Sequence, residues 1–246
     1  MKRFLIIGFA LACAGRLLAA EVGMDFSAAN KLYAEGKFAD AATAYDKIIQ
    51  TGVRSPVLLF NAGNAEFKSG HLGRAIAAYR QAAQLAPRET ELRANLAFVR
   101  GRVQGAASQE SFWQNWFGTF TLNEGAGLTA VLFWLTLGTF AVRQLRPALG
   151  PPLKTPTRIL VTLTGLSIVV LGVQAVDHFN RQTAVVTAAE TTARSGPFDE
   201  AQSAFTLHDG VELSVLDRHG EWIQVAGSEG RTGWVPVKQV AILPGA

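Results

Sequence analysis

Residues 125–142, GAGLTAVLFWLTLGTFAV, and residues 159–176, ILVTLTGLSIVVLGVQAV, contain no charged side chain. The segment between them, 143–158, RQLRPALGPPLKTPTR, carries only basic charges: Arg143, Arg146, Lys154 and Arg158. At about 1.5 Å per residue, a helix over either apolar stretch is roughly 27 Å long, close to the ~30 Å hydrocarbon thickness of a bilayer. A single Lys, Arg or Asp at the centre of such a helix would cost about 3 kcal/mol on insertion, and neither stretch has one. The pattern predicts a multidomain membrane protein with a two-helix transmembrane hairpin, spans 125–142 and 159–176, and a basic cytoplasmic loop over 143–158. Transport, proton relay and voltage sensing need ionisable groups at membrane depth, so the spans are expected to be anchors.

The start of the chain agrees with that orientation. Lys2 and Arg3 precede an apolar run from Phe4 to Ala14, too short to span and followed by small residues to Ala19 and Ala20. This reads as a secretory signal peptide over 1–20, with a cut after Ala14 as the shorter alternative. The single cysteine, Cys13, leaves with the signal on either route, so no internal disulfide or thiolate metal site is expected. An exported N-terminus and an inward basic loop place both flanking segments in the periplasm of a bacterial inner membrane. The formal net charge of +4 includes the signal and the loop, and no basic stripe with interleaved aromatics points to nucleic acid.

Shifting residues 21–104 by 34 aligns Ala28 with Ala62, Asn30 with Asn64, Tyr33 with Phe67, Gly36 with Gly70, Phe38 with Leu72, Ala41 with Ala75 and Tyr45 with Tyr79. That period resembles tetratricopeptide repeats and predicts an all-α repeat domain. Gly36 and Gly70 suit turns between paired helices, and Ala41 and Ala75 permit close helix approach. Tyr45 and Tyr79 fill the gap to the next repeat. Gly63 and Pro87 complete the second copy, whereas the first has Asp25 and Ala29 where the pattern wants an aromatic and a glycine. A capping helix over 91–103 is expected to close the stack. Asn30 and Asn64 are one period apart, as are Asn61 and Asn95, all on first helices. They are the candidate peptide-binding groove, because an amide both donates to and accepts from extended backbone. The alternative is that they tie neighbouring helices together. Lys31, Lys68, Arg100 and Arg102 would favour an acidic ligand.

Residues 105–124 read as a polar linker followed by an aromatic interfacial segment around Phe112, Trp113, Trp116, Phe117 and Phe120, residues suited to the headgroup level. Thr121 and Glu124 form a capping box for the first span, and Thr155 before Pro156 is the expected start of the second. Gly125, Gly127, Gly138, Gly165, Ser167 and Gly172 offer small surfaces for helix contact.

Over 183–246 the periodicity changes to alternation: Val211, Leu213 and Val215 on one face, Glu212 and Ser214 on the other. Turns at Asp209-Gly210, His219-Gly220 and 227–230 divide the segment into the short strands of an all-β barrel. Arg194-Ser-Gly-Pro197, Phe205-Thr-Leu-His-Asp-Gly210, Gly220-Glu-Trp-Ile-Gln-Val225 and Gly230-Arg-Thr-Gly-Trp-Val-Pro236 resemble the bacterial SH3 family, which implies a module that recognises cell-wall peptides or proteins. Trp222 and Trp234 are the candidate ligand face of this SH3-like barrel, or else packing residues.

No catalytic constellation is present. His71, His178, His208 and His219 lack companions at metal spacing, and no phosphate loop or nucleophile elbow occurs. The acidic residues read as exposed charges on helices and turns. Neither enzyme activity, metal nor cofactor is expected. The order of signal, repeats, hairpin and barrel resembles the BatE-type aerotolerance-operon membrane proteins. That resemblance implies an inner-membrane complex with von Willebrand factor A domain partners and a MoxR-type ATPase. The expected function is a non-catalytic scaffold with a peptide-binding groove; the alternative is a peptidoglycan-binding sensor acting through the barrel.

Overall fold

The computed structural model describes residues 23–104, 121–180, 182–227 and 230–243. The signal peptide and the aromatic segment expected over 105–120 lie outside the described residues. The chain divides into two compact units, one holding the N-terminal helices together with residues 184–243, the other holding the two apolar helices.

Five helices build the first part of the larger unit: α1 over 23–34, α2 Phe38–Gln50, α3 Pro56–Lys68, α4 Leu72–Leu85 and α5 Thr90–Arg100. The 34-residue repeat is visible in their packing. Gly36 and Gly70 turn between paired helices at φ of 78° and 87°, which L side chains resist. Ala41 and Ala75 are fully buried at the helix crossings. Tyr45 and Tyr79 are 1% exposed and pack on Phe26 and Phe60 at centroid distances of 5.9 and 5.8 Å. Phe26 thus provides the aromatic that position 25 lacks. A Cβ on Gly63 would lie 2.7 Å from Tyr79 Cε1, so the second repeat needs glycine there. Ser55 caps α3 by accepting from the Leu58 N–H at 3.1 Å, and Pro56 occupies the first turn, where its missing N–H is harmless. α5 buries Leu92, Leu96 and Val99 against the second repeat.

Residues 183–243 form seven strands: β1 Thr183–Val186, β2 Glu190–Arg194, β3 Ser203–His208, β4 Glu212–His219, β5 Trp222–Ala226, β6 Thr232–Pro236 and β7 Val240–Leu243, in the sheet order β3-β2-β6-β5-β4-β1-β7. Alternation sends Ile223, Val225 and Val235 into a core with Ala184, Val186, Ala193, Leu207 and Leu213. Gly210 and Gly220 turn the chain at φ of 88° and 58°. Register shifts interrupt β2/β3 at Ala193 and Arg194 and β4/β5 between Val215 and Asp217.

The second unit pairs α6, Leu122–Leu145, with α7, Gly150–Asn180, through a 3₁₀ turn at Pro147–Leu149. Both helices are long and apolar enough to cross a membrane by length and composition, with mean hydropathy of 1.7 and 2.2. Thr121 and Glu124 make the reciprocal capping box at α6. The second helix departs from expectation. It begins at Gly150, not at Thr155, so most of the stretch read as a loop is helical and Pro156 lies inside it. Pro151 and Pro152 occupy the first turn, which needs no N–H donors. Just past Pro156, the Thr157 hydroxyl donates to the Leu153 carbonyl at 2.6 Å. Helix contact also differs. Only Gly125 faces its partner, near Gln174 and Leu171, whereas a Cβ at Gly127, Gly138, Gly165 or Gly172 would meet nothing within 4 Å. Thr136 and Thr164, both buried, share a 3.0 Å hydrogen bond between the helices. The outward surface is apolar, with Trp134, Leu166 and Val169 more than half exposed.

Candidate functional site

The four asparagines form two copies of one arrangement. Asn30 Oδ1 accepts from the Tyr45 hydroxyl at 2.6 Å and from Asn61 Nδ2 at 3.2 Å. One period later, Asn64 Oδ1 accepts from the Tyr79 hydroxyl at 2.6 Å and from Asn95 Nδ2 at 3.4 Å. Burial raises the pKa of both phenols, holding them protonated and therefore able to donate. The asparagines do tie neighbouring helices together, and the same bonds leave a directional residue. An amide oxygen has two lone pairs, and on Asn30 and Asn64 both are engaged, so the chemistry left for a ligand on those two side chains is N–H donation.

The third turn of the series has no asparagine. Phe98 stands 34 residues after Asn64, is 52% exposed, packs edge-on to Phe67 at 5.6 Å and lies 4.7 Å beneath the Arg102 guanidinium. Amide donors and an exposed ring on first helices, with a cation in the turn after α5, suit an extended segment bearing carbonyl or carboxylate oxygens beside apolar side chains.

On the barrel, Trp222 and Trp234 are half-buried on the face opposite Ile223 and Val235. Trp222 pairs with Pro236 and Gln224 with Trp234, so the two indoles are diagonal neighbours, while Arg194 pairs with Trp234 from the other side. This outer face is an aromatic platform with polar partners.

Four side chains, Asp209, Glu212, Arg80 and Arg100, make polar contacts that join helices and barrel. No residue of its own first turn caps α4: the turn has no acid, and the N-cap His71 makes no side-chain capping bond. Asp209, in the turn before β4, fills that role, its carboxylate accepting from the N–H of Leu72 at 2.8 Å and of Gly73 at 2.9 Å. Burial raises its pKa, opposed by these backbone donors and by His71 and Arg74. Glu212, expected on the solvent face, is 6% exposed and accepts from Arg100 Nε at 2.6 Å with Arg80 Nη2 at 2.8 Å. Arg100 is therefore committed to the barrel and not to an acidic ligand. Glu66 is a second buried acid, bonded to His71 at 2.7 Å. Alternation placed Glu212 outside because periodicity cannot see a partner 112 residues away.

Among the described residues, no group of three or more His, Cys, Asp or Glu is placed to hold a metal ion. Comparison with known proteins matches residues 56–89 to the tetratricopeptide repeat and residues 187–240 to the bacterial SH3 domain. Over 84 residues the chain is 36% identical to the uncharacterized protein YgiM of Escherichia coli strain K12, covering 33% of this chain and 41% of that protein. The same figures hold for YgiM of E. coli O157:H7 and of Shigella flexneri. The chain thus spans about two fifths of the length of the curated relatives it matches.

Proposed function

We propose that this protein is a non-catalytic membrane scaffold, whose repeat domain and SH3-like barrel form one recognition head held at the periplasmic surface by the α6–α7 hairpin. The observation that carries the reading is the contact between residues before the hairpin and residues after it. Asp209 and Glu212 bond to α4 and α5, which supports a topology with both segments on one side of the membrane, as two crossings give. Uncharged stretches at 125–142 and 159–176, with apolar outer surfaces, support an anchor.

The repeat groove takes an extended, acidic or carbonyl-rich segment of a protein partner. In a BatE-like setting that partner is a von Willebrand factor A domain membrane protein, assembled with a MoxR-type ATPase system. Because Asn30 and Asn64 hold helices together, the cleaner test places negative charge at groove positions without those bonds. Lys68→Glu with Phe98→Glu should abolish co-purification of such a partner from membranes while leaving protease resistance unchanged. Full recovery of the partner would exclude the groove.

A second reading rests on the barrel's outer face, where two half-exposed indoles stand beside Arg194 and Gln224. Such a platform suits cell-wall material. Retention of the detergent-solubilised full chain on purified sacculi should fall at least tenfold in Trp222→Ala/Trp234→Ala; equal retention of variant and wild type counts against it.

A further inference from the structure

The barrel sits where a repeat stack needs a cap. A stack of two repeats plus one helix leaves an apolar surface that another element must cover. Here Val185 and Leu243 of the barrel enter the same buried cluster as Ile76, Leu92, Leu96 and Val99, with Ala241 and Val103 packed at its edge. The approach is close enough to dictate residue type. A Cβ on Gly73 would collide with the Val186 carbonyl and lie 2.6 Å from Asp209 Oδ1, and one on Gly210 would lie 2.7 Å from Val103 Cγ2. Polar contacts then fix the register: the Asp209 carboxylate on the bare N-terminus of α4, and Glu212 between Arg80 and Arg100.

We propose that the SH3-like barrel has a second function, as the cap of the repeat stack, and that repeats and barrel fold as one cooperative unit despite the hairpin inserted between them. The consequence for biogenesis is an order of events: the repeats are synthesised first but reach their full stability only when the barrel has followed the second helix and docked. The inference does not depend on what the groove or the tryptophan face binds.

Limited proteolysis of the full chain in detergent micelles tests it, with fragments of residues 23–104 and 183–243 followed separately by mass spectrometry. Gly73→Ala gives opposite signs under the two accounts, because alanine is the better helix former and would protect an independent stack. Capping predicts that both segments of Gly73→Ala are cut at protease concentrations at least fivefold lower than wild type, and that Glu212→Gln follows the same pattern. Ile223→Ala, in the barrel core away from the junction, should carry the repeats with it. Repeats that stay as resistant as wild type in Gly73→Ala, or that survive while the barrel of Ile223→Ala is digested, would overturn the proposal.

Discussion

Along the first helices of the repeats, polar contacts recur: a tyrosine 15 residues on and an asparagine 31 residues on meet the same amide oxygen, once at Asn30 and again at Asn64. Along α4 and the end of α5, each polar contact is made once, by acids 112 to 137 residues away. The first set is short-range and repeated, so damage to one copy leaves the other intact. The second is long-range and singular, and Glu212 within it is buried, so none of its contacts has a second copy. Substitutions should therefore hurt unequally on the two faces.

The largest effect is expected at the singular face. Glu212→Ala leaves Arg80 and Arg100 facing each other without their carboxylate and should lower stability by about 3–5 kcal/mol, read as a shift of the urea midpoint of the full chain. Contrasting the repeats gives the next. Gly63→Ala drives a methyl into the Tyr79 ring and should cost about 1–3 kcal/mol by overpacking, whereas Ala29→Gly at the matching position of the first repeat should cost about 1–2 kcal/mol by the opposite route, lost helix propensity and a lost buried methyl. A Gly63→Ala variant as stable as wild type would erase the distinction between copies. Asn64→Ala removes the acceptor of the Tyr79 hydroxyl proton and should cost about 1–3 kcal/mol, much of it recovered when Tyr79→Phe is added; additive losses in that double-mutant cycle would mean the hydroxyl is not desolvated.

Within the hairpin, Thr136→Val should weaken helix pairing by about 0.6 kcal/mol, with no further loss in Thr136→Val/Thr164→Val. The smallest expected change is one of slope. Asp209 titrates above the ordinary value of 3.8 in the folded chain because burial opposes its charge. The native state then binds more protons than the unfolded state between those two values, so this group's contribution to stability declines as pH rises through that window. Asp209→Asn should flatten that segment of the stability–pH curve, and an unchanged slope would assign it to other groups such as Asp46, which burial also raises.

What could be read beforehand follows the same division. The helical repeat was visible because each packing role occurs twice at a spacing of 34, and Tyr45 and Tyr79, Gly36 and Gly70 declare one another. The barrel was visible because Val211, Leu213 and Ile223, Val225 alternate between marked turns. The platform of Trp222 and Trp234 needed strand register to place both indoles on one face. Asp209 and Glu212 were hidden: each is a lone acid beside a turn, and nothing local distinguishes it from a solvated charge. Pro156 misled because a proline that often opens a helix can also sit inside one whose first turn is already proline-rich.

Phe98 sets a limit on length. It occupies the place where the next amide oxygen would stand, so a further repeat joined beyond α5 would find no acceptor for its own asparagine, whereas a duplicate of 57–90 inserted ahead of α5 would keep every rung. The stack behaves as a ruler with a stop at one end. A segment lying along the groove proposed above would meet the exposed Phe98 ring at that end.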